Sequence, residues 1–193
     1  MTMRRSILLA VLVALLQIAF LGWMIAGRAS VLRKGAEVLL KVEPVDPRDL
    51  LRGDYVRLGY EIASIPTDLV ANLPAGQATS EAGQIFVRIG KDGDGYWRVR
   101  SATLGVPGDA PVGEGELVIR GTAAAAWGLD SGSRLSVTYG IERYYLPEGE
   151  GLQMEKDMRV RSFGVLVALA SDGAPQIKAL MDGAAPVYEE PPY

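Results

Sequence analysis

The sequence predicts a mainly β domain, a mostly antiparallel barrel or sandwich, carried on one N-terminal transmembrane helix. Three observations lead there. Ile7–Ala26 is an apolar run without a charge, interrupted only by Gln17. From Ala36 onward, short stretches alternate apolar and polar residues between Gly-, Pro- and Asp-rich turns, the pattern of half-buried strands. The 193 residues contain no cysteine and no histidine. That removes disulfides, thiolate metal sites, the commonest general base and every Ser–His or Cys–His nucleophile pair. The length leaves room for an anchor and one medium domain with a real core.

Taken in order, the anchor comes first. Twenty residues of helix, the length of Ile7–Ala26, span about 30 Å, the hydrocarbon thickness of a bilayer. This stretch is therefore expected to contact membrane lipid. It is too long for a cleaved signal peptide, and the small-residue exit Gly27-Arg28-Ala29 has an arginine inside it. A buried soluble helix would carry a polar stripe. Gln17 at mid-helix can bond a neighbouring helix. Arg4 and Arg5 precede the run while Arg28, Arg33 and Lys34 follow it, so the positive-inside count is close to balanced. The expected division is an anchor over 1–28, a β-domain over 29–183 and a flexible tail over 184–193.

Ala29–Gly35 reads as a continuation of the helix, and Ala36–Glu43 as the first strand, with Val38, Leu40 and Val42 inward. In the next segment Asp46 can N-cap a helical turn, Pro47 suits its first position and Asp49 can reach back to the cap. Arg48 and Arg52 lie four apart on one side of that turn, and Gly53 can end it in a left-handed conformation. From Asp54 to Ile62 the period becomes two. Val56, Leu58, Tyr60 and Ile62 face one way, and Tyr55, Arg57, Gly59 and Glu61 the other.

Ser64–Gly83 reads as a loop with a short helix near Ile65–Leu69. Gln84–Ile89 and Tyr96–Thr103 flank Lys91-Asp92-Gly93-Asp94-Gly95, a hairpin signal. Strands follow at Glu116–Gly121, at Arg134–Ile141 and at Met158–Ala170, the last with a bulge expected near Phe163-Gly164. Ser171-Asp172-Gly173 turns the chain into Pro175–Asp182, expected as the last strand.

Gly53-Asp54-Tyr55, Leu58 and Tyr60 reproduce the pattern G-D-Y-x-x-L-x-Y. With Pro44–Arg52 and the later Gly140-Ile141-Glu142-Arg143-Tyr144-Tyr145-Leu146-Pro147-Glu148-Gly149, the chain resembles a bacterial family of uncharacterised, membrane-anchored proteins named for that motif. The resemblance implies a place and a shape: the inner membrane, a single pass, the N-terminus cytoplasmic and the β-domain periplasmic. It brings no catalytic residues, because the family has no established activity. The motif residues Asp46, Arg48, Asp49, Arg52, Gly53, Asp54, Tyr55, Arg57, Leu58 and Tyr60 therefore have two readings, a structural corner or a recognition surface.

Leu50-Leu51-x-Gly53-Asp54 also resembles the L-L-x-G-D stretch of the signal-peptidase family. The position of that family's nucleophilic serine is Val45 here, and no lysine lies between Lys41 and Lys91. A shared corner is thus compatible with the sequence, whereas Ser/Lys chemistry lacks both partners. A second candidate is acidic. Glu142, Glu148, Glu150, Glu155 and Asp157 surround Tyr144-Tyr145-Leu146-Pro147, and paired carboxylates can cleave a glycosidic bond or hold a hard cation. Their spacing matches no metal loop, and the plain reading is a solvated loop opening a short helix. Asp92 and Asp94 lack the other ligands of a calcium loop and read as a turn. No metal and no cofactor are expected.

The net charge is −3, with 20 basic and 23 acidic residues; without Arg4, Arg5 and Arg28 the chain from Ala29 onward stands at −6. An acidic outer domain argues against nucleic acid as a partner. The expectation is a non-enzymatic interaction or scaffolding module for another membrane protein. The alternative is binding or hydrolysis of an envelope polymer by carboxylates of Glu142–Asp157.

Overall fold

A computed structural model describes residues 2–43, 55–73, 83–125, 132–145, 163–183 and 185–189. The chain opens with α1, Thr2–Lys34, whose 33 residues run about 50 Å at the α-helical rise. Residues 5–28 are exposed along it, whereas Ala29 and Leu32 near its end are buried. The apolar stretch is therefore free of the β-domain, and only the last turns rest on it. One helix long and apolar enough to cross a membrane is thus present.

The strands are β1 (Ala36–Glu43), β2 (Tyr55–Arg57), β3 (Gly59–Tyr60), β4 (Ser64–Pro66), β5 (Gly83–Lys91), β6 (Trp97–Leu104), β7 (Glu116–Ala123), β8 (Arg134–Thr138), β9 (Arg143–Tyr145), β10 (Phe163–Leu169), β11 (Pro175–Asp182) and β12 (Ala185–Glu189). They form a five-stranded sheet in the order β12-β11-β10-β1-β3, a five-stranded sheet in the order β4-β8-β7-β5-β6, and a two-stranded ribbon β2-β9. Every strand pairing is antiparallel. Val38, Leu40, Val165 and Val167 of the first sheet and Ile85, Val87, Ile119 and Leu135 of the second meet in one buried cluster. The two sheets share a core without closing on each other. Hydrophobic burial along both inner faces holds them together.

Alternation accounts for most of these strands. Val38, Leu40 and Val42 point into the core as predicted; Ile85, Val87 and Ile89, and Leu135, Val137, Tyr139 and Ile141, are buried in the same alternating way. The hairpin between β5 and β6 turns at residues 92–95, where the Gly95 amide bonds to the Asp92 carbonyl at 2.9 Å. β10 is buried on both faces: Phe163, Val165, Val167 and Leu169 join the core, and the end of α1 covers part of the other side.

Several expectations are corrected. The motif segment is not one strand from Asp54 to Ile62. β2 pairs with β9, β3 pairs with β1, and Glu61–Ala63 is a 3-10 turn. The chain changes partner at Leu58 and so passes from the ribbon to the edge of the first sheet. Val56, Leu58, Tyr60 and Ile62 are all buried nonetheless. Ser64–Pro66, expected as loop, pairs with β8, and a 3-10 turn follows at Thr67–Leu69. Arg143–Tyr145, also expected as loop, is β9. The expected bulge at Phe163-Gly164 is not there: the register against β11 shifts between Leu166 and Val167, and the extra residue, Lys178, is on β11. Pro175–Asp182 is followed by β12, which lies within the predicted tail and pairs with β11. Its Pro186 is tolerated because an edge strand has one side that needs no donor.

Candidate functional site

The two stretches that carry the family resemblance lie side by side. Tyr55 faces Tyr145, Val56 faces Tyr144 and Arg57 faces Arg143. The Leu58 amide then bonds to the Glu142 carbonyl at 2.9 Å. Further on, Ser64, Ile65 and Pro66 face Ser136, Leu135 and Arg134, and the Thr67 amide bonds to the Ser133 carbonyl at 3.0 Å. The same register holds on both sides of a gap. Residues 55–67 and 133–145 are thus one long antiparallel pairing, interrupted where β3 leaves to join β1.

Two tyrosines bridge the interruption. The Tyr60 hydroxyl donates to the Ile141 carbonyl at 2.7 Å, and the Tyr139 hydroxyl donates to the Ile62 carbonyl at 2.7 Å. Both bonds are buried, so each satisfies a carbonyl whose ladder partner is missing. Burial, with the nearby charge of Glu142 second, pushes both phenols well above their ordinary range. They remain neutral donors at any physiological pH.

Glu142 closes the turn between these tyrosines. One carboxylate oxygen accepts the Tyr139 amide, and the other accepts the Gly140 amide at 3.0 Å. Gly140 holds φ +80°, a conformation that costs glycine nothing and other residues a Cβ clash. The run Tyr139-Gly140-Ile141-Glu142 is therefore a carboxylate-closed turn. Glu142 is the only one of the four predicted acidic-site residues among the described residues; Glu148, Glu150, Glu155 and the adjoining Asp157 lie outside them.

Leu58 and Tyr60 of the motif are core residues, 2 % exposed each. Arg57 is exposed. Glu61, expected beside Arg57 and Tyr55 on a common outer face, instead accepts the Arg98 guanidinium at 2.9 Å and lies 3.8 Å from the Lys41 ammonium. The 3-10 turn rotates it away from the strand direction. Asp46, Arg48, Asp49, Arg52, Gly53 and Asp54 lie outside the described residues, and with them the predicted capped turn and the corner shared with signal peptidases.

Arg98 is the centre of a network that the sequence reading missed. Besides Glu61 it binds Asp92 at 2.6 Å and Asp94 at 2.6 Å, while Arg100 also contacts Asp92. The hairpin aspartates are consequently held below the usual carboxylate range, mainly by hydrogen bonds from Arg98. Their positive neighbours make the cluster a turn lock and leave no vacant acidic cage for a cation.

A cleft of about 1690 Å³ separates α1 from the ribbon. The helix supplies Phe20, Trp23, Met24 and Arg28, and the β-domain supplies Arg57, Glu142, Arg143 and Tyr145. Nothing in the sequence places Arg28 and Arg57 on one cleft, because that depends on how the helix meets the domain.

The architecture is that of a small antiparallel β-domain following one helix long and apolar enough to span a membrane, with two tyrosine-rich stretches locked together at the junction of its sheets. The family described as GDYXXLXY protein matches residues 17–180, and the chain belongs to that family. No curated protein and no solved structure matches it.

Proposed function

We propose that the protein is a non-enzymatic interaction module, anchored by α1 in the bacterial inner membrane with its β-domain in the periplasm, that docks another membrane protein. The observation that supports this most is how three polar groups of the two paired stretches are employed. The hydroxyls of Tyr60 and Tyr139 and the carboxylate of Glu142 all bond to backbone, so they hold the fold and are not poised toward a substrate. An edge for a partner is present at β12, which has no strand on its outer side among the described residues and exposes Val187. Unpaired N–H and C=O groups on such an edge accept an extended segment of another chain. A photoreactive residue at Val187 of the full-length protein in its native membrane is expected to give one discrete adduct with a membrane protein. No adduct, or a smear of many, would overturn the docking reading.

The cleft favours a second reading, binding or hydrolysis of an envelope polymer, because it brings Glu142 together with Arg57 and Arg143. Release of fragments from purified polymer by the wild type, but not by a Glu142→Gln variant that still folds, would put this reading first.

A further inference from the structure

We propose that the cleft between α1 and the β2-β9 ribbon binds the phosphate headgroup of an anionic membrane phospholipid, with Arg28 and Arg57 as its charge contacts. The inference rests on α1 being a membrane anchor and on nothing else in the proposed function. Its first support is height. Phe20, Trp23 and Met24 line the cleft and belong to the apolar run that ends at Ala26. Arg28 follows two residues later, about 3 Å further along the helix. One end of the cleft therefore stands at the edge of the hydrocarbon, and the other at the headgroups.

The second support is charge. Arg57 and Arg143 face each other directly across the ribbon, both exposed. The acids that line the same cleft are already engaged. Glu142 accepts two backbone amides, and Asp172 holds Arg120 at 2.9 Å. Arg28 and Arg57 make no hydrogen bond or ion pair among the described residues. This concentration of arginine sits on a domain whose net charge is −6 from Ala29 onward, so it is a local feature and not part of a generally basic surface.

The third is shape. An apolar wall below and guanidinium groups above match the two halves of a phospholipid, an acyl chain and a phosphate that a guanidinium can grip with two hydrogen bonds. Trp23 is 74 % exposed and Tyr145 is 73 % exposed at the cleft. Such amphipathic rings favour the membrane–water boundary.

The test uses the full-length protein reconstituted in nanodiscs of mixed phosphatidylglycerol and phosphatidylcholine, then released gently for native mass spectrometry. Phosphatidylglycerol should be retained over phosphatidylcholine by about fivefold for each arginine engaged. Arg28→Gln with Arg57→Gln should bring the ratio close to parity at an unchanged melting temperature in neutral detergent. Equal retention of the two lipids by the wild type overturns the proposal, as does an undiminished preference in the double variant. Displacement of the bound lipid by millimolar inorganic phosphate would assign the cleft to a soluble anion instead. A crosslink from position 145 to a protein in native membranes, with none to lipid, would assign it to a protein partner. A protein extracted from membranes by alkaline carbonate would show that the anchor itself is absent, a failure read separately from any lipid preference.

Discussion

Tyr60 and Tyr139 stand at a point where two strands part, and each hydroxyl replaces a ladder hydrogen bond that the parting removes. Phenylalanine at either position keeps the ring and leaves a buried carbonyl without its donor. Tyr60→Phe is expected to cost about 1–3 kcal/mol in chemical unfolding. Tyr139→Phe should cost a similar amount, and the double variant less than their sum because both act on one gap. The pH dependence has a definite sign. The folded phenols titrate above the ordinary tyrosine value of 10.0, so their contribution is complete below about pH 10 and is lost as pH rises beyond it. A melting series through alkaline pH should fall less steeply for Tyr60→Phe than for the wild type. The neighbouring pair Leu58 and Arg57 separates core from surface. Leu58→Ala should cost about 2–5 kcal/mol, whereas Arg57→Ala should change stability by no more than about 0.5 kcal/mol. Equal losses at the two positions would show that both faces of the motif are buried.

Among the elements, the join between α1 and β1 is the most sharply constrained. The Gly35 amide bonds to the Val31 carbonyl at 2.8 Å. A Cβ at Gly35 would lie 2.6 Å from that oxygen and 2.7 Å from the Leu169 carbonyl. Neither backbone atom can move without shifting the helix end off β10. Gly35→Ala should therefore lower the melting temperature and increase hydrogen exchange in the last turn of α1 and in β10 together; exchange unchanged in both would show that the join tolerates the added carbon. At the opposite hairpin, Asp92 and Asp94 carry the stabilising ionised form. Their folded values lie below the ordinary aspartate value of 3.8, so the contribution is present above about pH 3.8 and disappears as pH falls through the folded values. Arg98→Gln should flatten that acid limb. An acid limb identical to wild type would remove the network from any account of stability.

For the molecule as a whole, long-range pairing joins distant parts of the chain: β1 with β10, and residues 55–67 with 133–145. β12 completes one edge of the first sheet. Deleting residues 184–193 removes it and uncovers β11, so the truncated protein should melt lower and aggregate more readily. An unaltered melting temperature would make β12 an ornament of the sheet and not part of its stability. Orientation is checked with a reporter that matures only outside the cytoplasm, fused after Tyr193. The proposed topology predicts an active fusion that stays in the membrane fraction, and activity from a cytoplasmic reporter alone would reverse it.

Composition and period were enough to define the apolar helix, the β class, the inward face of β1, and the turn at residues 92–95. These properties are local. A residue's hydropathy and the two-residue repeat of a strand decide which side chains leave water, whatever strand lies alongside. Partnership is not local. The Tyr60–Ile141 and Tyr139–Ile62 bonds join residues 81 and 77 positions apart, and no spacing within either segment reveals them. For the same reason Glu142 read as a candidate acid, since only the folded turn shows its carboxylate closing on the amides of Tyr139 and Gly140. Arg28 and Arg57 share a cleft only once the helix end has packed on β10 and the ribbon has formed. Alternation fixes a side chain's face, whereas its neighbours depend on register and on the packing of elements far apart in the chain.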